Sequence, residues 1–269
     1  MRKSLTYNEL NTLELWQRMQ TITLDEMRGV KLMNRIDTKY VLSYDEALKL
    51  ISAAAANSYF VQIIDGVRAC RYETLYYDTS DREMFVVHHN RKLCRQKLRT
   101  RTYVESGITF FEIKNKSNRG RTKKRRTEIP HSAFASLQSS SEALTLLSEH
   151  SHYTAESVTP ALATRFTRIT LVNPTLTERI TIDLELSYED VRSGKMGCVE
   201  RMAIVEIKSD GNIESLTKRI LRNMHIAPLK VSKYCLGTSL TVEGIKRNRF
   251  KAKIRTIEKR LNRNNYDTI

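Results

Sequence analysis

The chain has 269 residues, 40% of them hydrophobic, and a net charge of +16 from 46 Lys and Arg against 30 Asp and Glu. That length can bury a substantial core as one large domain or two small ones, and the charge calls for an anionic partner without specifying a fold. The cysteines, Cys70, Cys94, Cys198 and Cys235, form no C-x-x-C pair, no long apolar run occurs, and the first twenty residues lack a signal-peptide pattern. A disulfide scaffold, a transmembrane helix and a secretory leader are therefore not expected, and a cytoplasmic protein is.

Residues 8 to 20 place Leu10, Leu13, Trp16 and Met19 at three-residue intervals, which predicts an amphipathic helix with Trp16 as a core anchor. Thr23 to Glu26 has the spacing of a capping box and predicts a short helix start. In MNRIDTKYVLS, from residue 33, Arg35, Asp37 and Lys39 alternate with Ile36, Thr38 and Tyr40, so three charged side chains share one strand face. Residues 44 to 57 read as a helix, RYETLYYDT (71 to 79) as a strand, Asp78 to Asp81 as a turn, and EMFVVHHNRKL as a further strand.

The stretch from Arg91 to Arg126 holds fourteen Lys or Arg against Glu105 and Glu112. Its first part alternates Arg95, Lys97, Arg99 and Arg101 with Cys94, Gln96, Leu98 and Thr100, which lines four cations along roughly 20 Å of one strand face. After a turn at Glu105 to Gly107, Phe110, Glu112, Lys114 and Lys116 share a face, and Ser117 to Gly120 makes a hairpin loop. RTKKRRTEIP offers two parities; because Ile129 marks the apolar side, Lys124 and Arg126 go to the cationic face.

Residues 131 to 149 predict one or two helices. ALATRFTRITLV is a strand with Arg168 opposed to Ile169 and Leu171. RITIDLELS sets Arg179, Thr181, Asp183 and Glu185 against Ile180, Ile182, Leu184 and Leu186, and RMAIVEIKSD puts Glu206 and Lys208 on one face. A helix over 213 to 224 and the segment VSKYCLG follow. Strand after strand opposes charge to an apolar face. If helices cover the apolar side, the charges line an interior, so the expected fold is α+β: a closed antiparallel β-barrel with a charged lumen and helices outside.

From Lys246 to Arg263 there are nine Lys or Arg and one acid, Glu258, with Phe250, Ile254, Ile257 and Leu261 at helical spacing. This basic amphipathic helix either packs on the barrel with its charged face in water or meets an anionic membrane or a membrane-protein partner.

P-loop, G-x-G-x-x-G, H-E-x-x-H, kinase and nucleophile-elbow motifs are all missing, and the six histidines are scattered. What remains is a lattice of Arg and Lys, suited to phosphate oxygens, with a few carboxylates suited to Mg²⁺ or Mn²⁺. The strands lack the exposed aromatic platform of single-strand binders, so nucleic acid is not the expected partner.

Eight motifs in series then match a known family. R-I-D-T-K-Y-V (35–41), Y-Y-D-T (76–79), R-Q-K-L-R-T-R-T-Y (95–103), F-E-I-K (111–114), T-R-F-T-R (164–168), R-I-T-I-D (179–183), V-E-I-K (205–208) and V-S-K-Y-C-L-G (231–237) resemble the VTC domain. This is the polyphosphate polymerase branch of the triphosphate tunnel metalloenzymes, related to the CYTH proteins. The resemblance covers roughly residues 22 to 240, leaving 1–21 as a helical extension and 241–269 as the basic helix.

The resemblance implies an eight-stranded tunnel that holds ATP, triphosphate or a polyphosphate chain together with Mn²⁺ or Mg²⁺. By motif, Lys39, Arg99, Arg101, Lys114, Lys124, Arg126, Arg168, Arg179, Lys208, Lys230 and Lys233 become phosphate-binding candidates, with Lys39, Arg99, Arg101 and Glu206 as the catalytic set. Glu206 is the implied metal ligand; Asp37 and Asp183 are both open as helpers. Where CYTH relatives read E-x-E-x-K, this chain reads Arg35-x-Asp37-x-Lys39, which favours the VTC branch over the hydrolytic one. The expected activity is transfer of the ATP γ-phosphate to polyphosphate, with a triphosphatase and a non-catalytic polyphosphate receptor as alternatives.

Overall fold

The computed structural model describes residues 5–29 and 35–263; Met33 and Asn34, at the head of the first predicted strand, lie outside them. The N-terminal segment forms α1 (Tyr7–Asn11), a 3₁₀ turn (Glu14–Arg18) and the short β1 (Thr21–Ile22). It is thus two short turns of helix rather than the continuous one predicted. Its anchors Leu10, Trp16 and Met19 are buried in the same core as the sheet, and the Trp16 indole donates to the Leu10 carbonyl at 2.7 Å. The predicted box at Thr23 is present, with the Glu26 carboxylate accepting from the Thr23 amide at 2.7 Å ahead of a 3₁₀ turn.

β2 (Arg35–Ser43) runs directly into α2 (Tyr44–Ala56), whose start is fixed by reciprocal bonds between Ser43 and Glu46. Then come β3 (Phe60–Gln62), β4 (Ala69–Asp78), α3 (Glu83–His89), β5 (Arg95–Tyr103), β6 (Ile108–Lys116), β7 (Thr122–Ile129) and α4 (Ser141–His150). β8 (Thr159–Val172), β9 (Glu178–Asp190), β10 (Met196–Cys198), β11 (Met202–Asp210), α5 (Leu216–Asn223), α6 (Lys233–Thr241) and α7 (Asn248–Arg263) complete the chain.

Eight strands follow one another in the order β2-β11-β9-β8-β4-β5-β6-β7, each antiparallel to its neighbours. Their apolar parity lies outside. Tyr40, Leu42, Ile180, Ile182, Ala203, Val205 and Ile207 pack under α2, while Leu98, Phe111, Ile113 and Ile129 pack with Ala143 and Leu147 of α4. The charged parity is left on the concave side, as the alternation predicts.

The barrel is open, which corrects the expected closure. β2 and β7 are the ends of the strand path and do not pair. The edge of β2 is already engaged, because the Leu229 amide donates to the Lys39 carbonyl at 2.8 Å. β7 carries Lys123 and Arg125 on one face and Lys124 and Arg126 on the other, a charged edge that disfavours strand addition.

Two further expectations change. EMFVVHH is helical, because Asp78 accepts from the amides of Met84 and Phe85 and Thr79 Oγ1 accepts from that of Glu83, satisfying the first donors of α3. Glu185 does not share a face with Asp183. Its φ of +52° belongs to a bulge against Arg165–Thr167, after which Leu186 and Tyr188 take the concave positions.

Beyond that bulge the concave side is apolar and filled. Val41, Tyr76, Leu162, Phe166, Leu186, Tyr188 and Ile204 meet Phe85 of α3, Tyr234 and Cys235 of α6, and Ile257 of α7. The fit is close at Gly237 of α6, where a Cβ would lie 2.4 Å from Tyr188 Cδ1 and 2.7 Å from Leu162 Cδ2. In α7 the predicted apolar stripe, Phe250, Ile254, Ile257 and Leu261, is used in this packing. No described helix is long and apolar enough to cross a membrane.

Candidate functional site: a cationic lumen

Strand register fixes which residues share the concave face. Lys39 of β2 lies opposite Glu206 of β11, which lies opposite Thr181 of β9; one step outward, Asp37, Lys208 and Arg179 make the same row. Arg168 of β8 lies opposite Asp183. On the other half, Arg99 of β5 lies opposite Glu112 of β6 and then Arg126 of β7, and Lys97, Lys114 and Lys124 form the next row. The halves face each other: Lys114 feels Glu206 and Lys39, and Arg101 feels Arg168.

Three carboxylates in this wall, two of them buried, are each shared by two cations. Glu112 pairs with Arg99, whose Nε lies 2.6 Å from Oε2, and with Lys124. Asp183 accepts from Arg168 at 2.6 and 2.8 Å and also from Lys233 of α6. Glu206 pairs with Lys39 and lies 3.8 Å from Lys208. Burial alone would raise these carboxyl groups, but their cations outweigh it and hold all three well below the usual carboxylate range.

The cations outnumber these acids. Arg101, 5% exposed, has no ion pair among the described residues; it donates to Thr74 Oγ1 at 3.0 Å and lies only within longer electrostatic reach of Glu112. Arg179 Nε, Thr181 Oγ1 and Thr164 Oγ1 are buried with no hydrogen-bond partner. Burial brings Lys208 and Lys233 down to about 8, with Glu206 and Asp183 offsetting part of it. Tyr76, opposite Arg99, is raised by burial but drawn down to about 8 overall by Arg99, Arg101, Lys97 and Lys233. A wall whose phenol is pulled toward phenolate has surplus positive potential, and a phosphate chain is the kind of ligand that relieves it.

Of the candidates, Lys39, Arg99, Arg101, Lys114, Arg168, Arg179, Glu206, Lys208 and Lys233 meet in this lumen. Lys124 and Arg126 reach it from the exposed edge strand, Arg126 lying 4.4 Å over the Phe110 ring. Lys230 is exposed on the segment before α6, its carbonyl accepting from Lys253. Sequence reasoning left Lys97, Glu112 and Tyr76 out of the site, although the first two have the parity of Arg99 and Lys114.

Among the described residues no three His, Cys, Asp or Glu side chains come together as a protein-only metal cage. Glu206, with Asp37 diagonal to it across β2 and β11, suits instead a hard ion shared with phosphate oxygens. Arg35 Nε holds Asp37 at 2.8 Å, and both Asp183 oxygens are engaged by Arg168 and Lys233.

The molecule is thus a concave antiparallel sheet of eight strands whose inner wall carries a surplus of Arg and Lys. The chain belongs to the VTC domain family, whose model matches residues 34–242. No curated protein matches the sequence. Among solved structures, an adenylyl cyclase candidate from Hippeastrum, described as having a dominant triphosphatase activity, is similar at TM-score 0.52 and 15% identity over 78% of this chain and 98% of that one. An adenylate cyclase candidate from Bacillus halodurans is similar at TM-score 0.49 and 15% identity over 74% and 96%.

Proposed function

We propose that this protein transfers the γ-phosphate of ATP to the end of a polyphosphate chain held in the cationic lumen. The observation that carries the reading is the state of the carboxylates. Glu112, Asp183 and Glu206 are each clamped by cations and held below their usual range, and no histidine lies on any of the eight strands. Such groups are poor general bases. The terminal phosphate of a polyphosphate chain is already ionised and needs no base, whereas water must lose a proton.

In the transfer, a terminal oxygen of the chain forms a bond to the γ-phosphorus while the bond to the β-phosphate bridging oxygen breaks and ADP leaves. Positioning and charge neutralisation dominate such chemistry. Arg99, Arg101 and Arg168 offer planar forks to the phosphate oxygens, Lys39, Lys114, Lys208 and Lys233 add point charges, and Lys124, Arg126, Arg179 and Lys230 extend the wall. Glu206, helped by Asp37, would hold Mn²⁺ or Mg²⁺, which supplies further charge neutralisation on the phosphoryl oxygens. Asp183 acts as a positioning residue for Arg168 and Lys233.

The test is incubation of purified protein with ATP and Mn²⁺. Phosphate polymer on a gel, lost in Arg99→Ala and Glu206→Ala, is the expected result. Orthophosphate without polymer would instead support a triphosphatase, the reading that the Hippeastrum neighbour's description favours. Tight polyphosphate binding without turnover would leave a receptor.

A further inference from the structure

The cationic wall continues past the centre of the lumen on one side only. At the end where α3, α6 and α7 close the molecule, β2, β11, β9 and β8 present apolar side chains to them, Val41, Ile204, Tyr188 and Leu162 among these. β5 and β6 do not: at the same end they carry Arg95 opposite Lys116 and Lys97 opposite Lys114. A chain running straight on meets the apolar plug, and one turning along β5 and β6 meets cations.

The plug supplies a matching edge. Lys97 Nζ donates to Ser232 Oγ, the N-cap of α6, at 2.7 Å, and Lys253 of α7 donates to the Lys230 carbonyl at 2.9 Å. Lys116 lies within electrostatic reach of Arg95 and Lys230, and Lys253 within reach of Arg91 and Lys230. His88 of α3 faces Lys97, Arg95, Lys253 and Lys116 together, and burial with these four charges pushes it down to about 2. Among the described residues, the groups that act most on Lys97, Lys116 and Lys253 are other Arg and Lys side chains together with Cys235 and Tyr76. The row opens beside a recess of about 410 Å³ bounded by Arg95, Lys116, Gln96 and Asn115, whose wall acid, Glu83, lies within electrostatic reach of Tyr153.

We propose that Arg95, Lys97, Lys116 and Lys253 form an exit lane that binds the outgoing part of a long inorganic polyphosphate, separate from the γ-phosphate site. The inference rests on the polyphosphate reading above. Successive cations on one strand face are spaced by roughly 7 Å, and their mutual repulsion is relieved when a polyanion lies along them. A triphosphate is held at the centre and does not reach Lys116 or Lys253; a long chain does.

The experiment compares tripolyphosphate and long-chain polyphosphate binding, without nucleotide, in the wild type and in Lys116→Glu/Lys253→Glu, with thermal melting to confirm folding. Long-chain affinity falls on the order of tenfold while tripolyphosphate affinity is kept, and Lys116→Arg/Lys253→Arg restores long-chain binding. Equal loss for both ligands, or no loss for the long chain, overturns the lane. A single-stranded oligonucleotide that competes for the lane as strongly as polyphosphate overturns it also. Wild-type protein that binds neither phosphate ligand defeats the polyphosphate reading itself, an outcome distinct from long-chain binding that ignores Lys116 and Lys253.

Discussion

Arg168 grips Asp183 across β8 and β9 through two parallel hydrogen bonds, Nε to Oδ1 at 2.6 Å and Nη2 to Oδ2 at 2.8 Å, while Lys233 holds the same carboxylate from α6. Asp183 is 2% exposed, so its removal leaves two buried cations without compensation. Asp183→Asn is expected to cost about 3–5 kcal/mol of stability. Tripolyphosphate should recover more of that loss than it adds to the wild type, read as the shift in melting temperature with and without ligand. Equal shifts would mean that Arg168 and Lys233 do not meet the phosphate.

Arg99 and Arg101 separate structural from functional charge. Arg99 pairs directly with Glu112, whereas Arg101 lies opposite Phe110 and Thr74 and reaches Glu112 only at longer range. Both Arg99→Ala and Arg101→Ala should lower transfer by about a hundredfold or more. Only Arg99→Ala strips a directly hydrogen-bonded partner from Glu112, so it should show the larger drop in denaturant midpoint. The same drop for both would sink the distinction.

Two pH effects of opposite sign follow from Lys208 and Lys233, which burial brings to about 8. Unfolded lysine titrates near 10.4, so between about pH 8 and 10 the unfolded chain binds more protons and these groups make the free protein gain stability as pH rises. Their charge disappears over the same window, so phosphate affinity falls. At about pH 8–9, tripolyphosphate binding should take up protons, visible as a dependence of calorimetric heat on buffer ionisation enthalpy. Heats independent of buffer would contradict it.

Glu206→Gln removes the carboxylate opposite Lys39 without changing its shape. Metal-dependent transfer should drop by about a hundredfold or more, while metal-free polyphosphate binding, followed by fluorescence anisotropy with a chelator present, is kept or tightened. Loss of that binding would point to a collapsed wall.

α7 is part of the core, with Ile257 2% exposed. Ile257→Ala is expected to lower stability by about 2–4 kcal/mol in urea with an unchanged m-value. A silent substitution would mean that the helix leaves the core, as membrane docking through its apolar stripe requires.

The period-two alternation made the polarity of the sheet legible, since charge at Arg99 and Arg101 or at Glu206 and Lys208 repeats at strand spacing. The register confirms those faces. The interruption at Glu185 was not legible, because nothing in a glutamate signals a positive φ. Nor was α3: Phe85, Val86 and Val87 favour a strand locally. What overrides them is Asp78, which holds the helix start and is itself bound by the Tyr234 hydroxyl, 156 residues away in sequence. The open seam was not legible either: at the edge of β2 it is the amide of Leu229, not a strand, that meets the Lys39 carbonyl. Glu112 has the right parity, but its role emerges only when Arg99 and Lys124 are brought to it from separate strands.

Gly237 lets α6 sit against Tyr188 and Leu162 at a distance that leaves no room for a methyl group. One turn earlier on the same helix, Lys233 delivers its ammonium to Asp183. The depth of a lumen cation is therefore set by a residue with no side chain. A search for function-altering substitutions restricted to Arg, Lys and Glu would pass over it, yet Gly237→Ala would push the helix outward and carry Lys233 with it, detuning the lumen while every charged residue stays in the sequence.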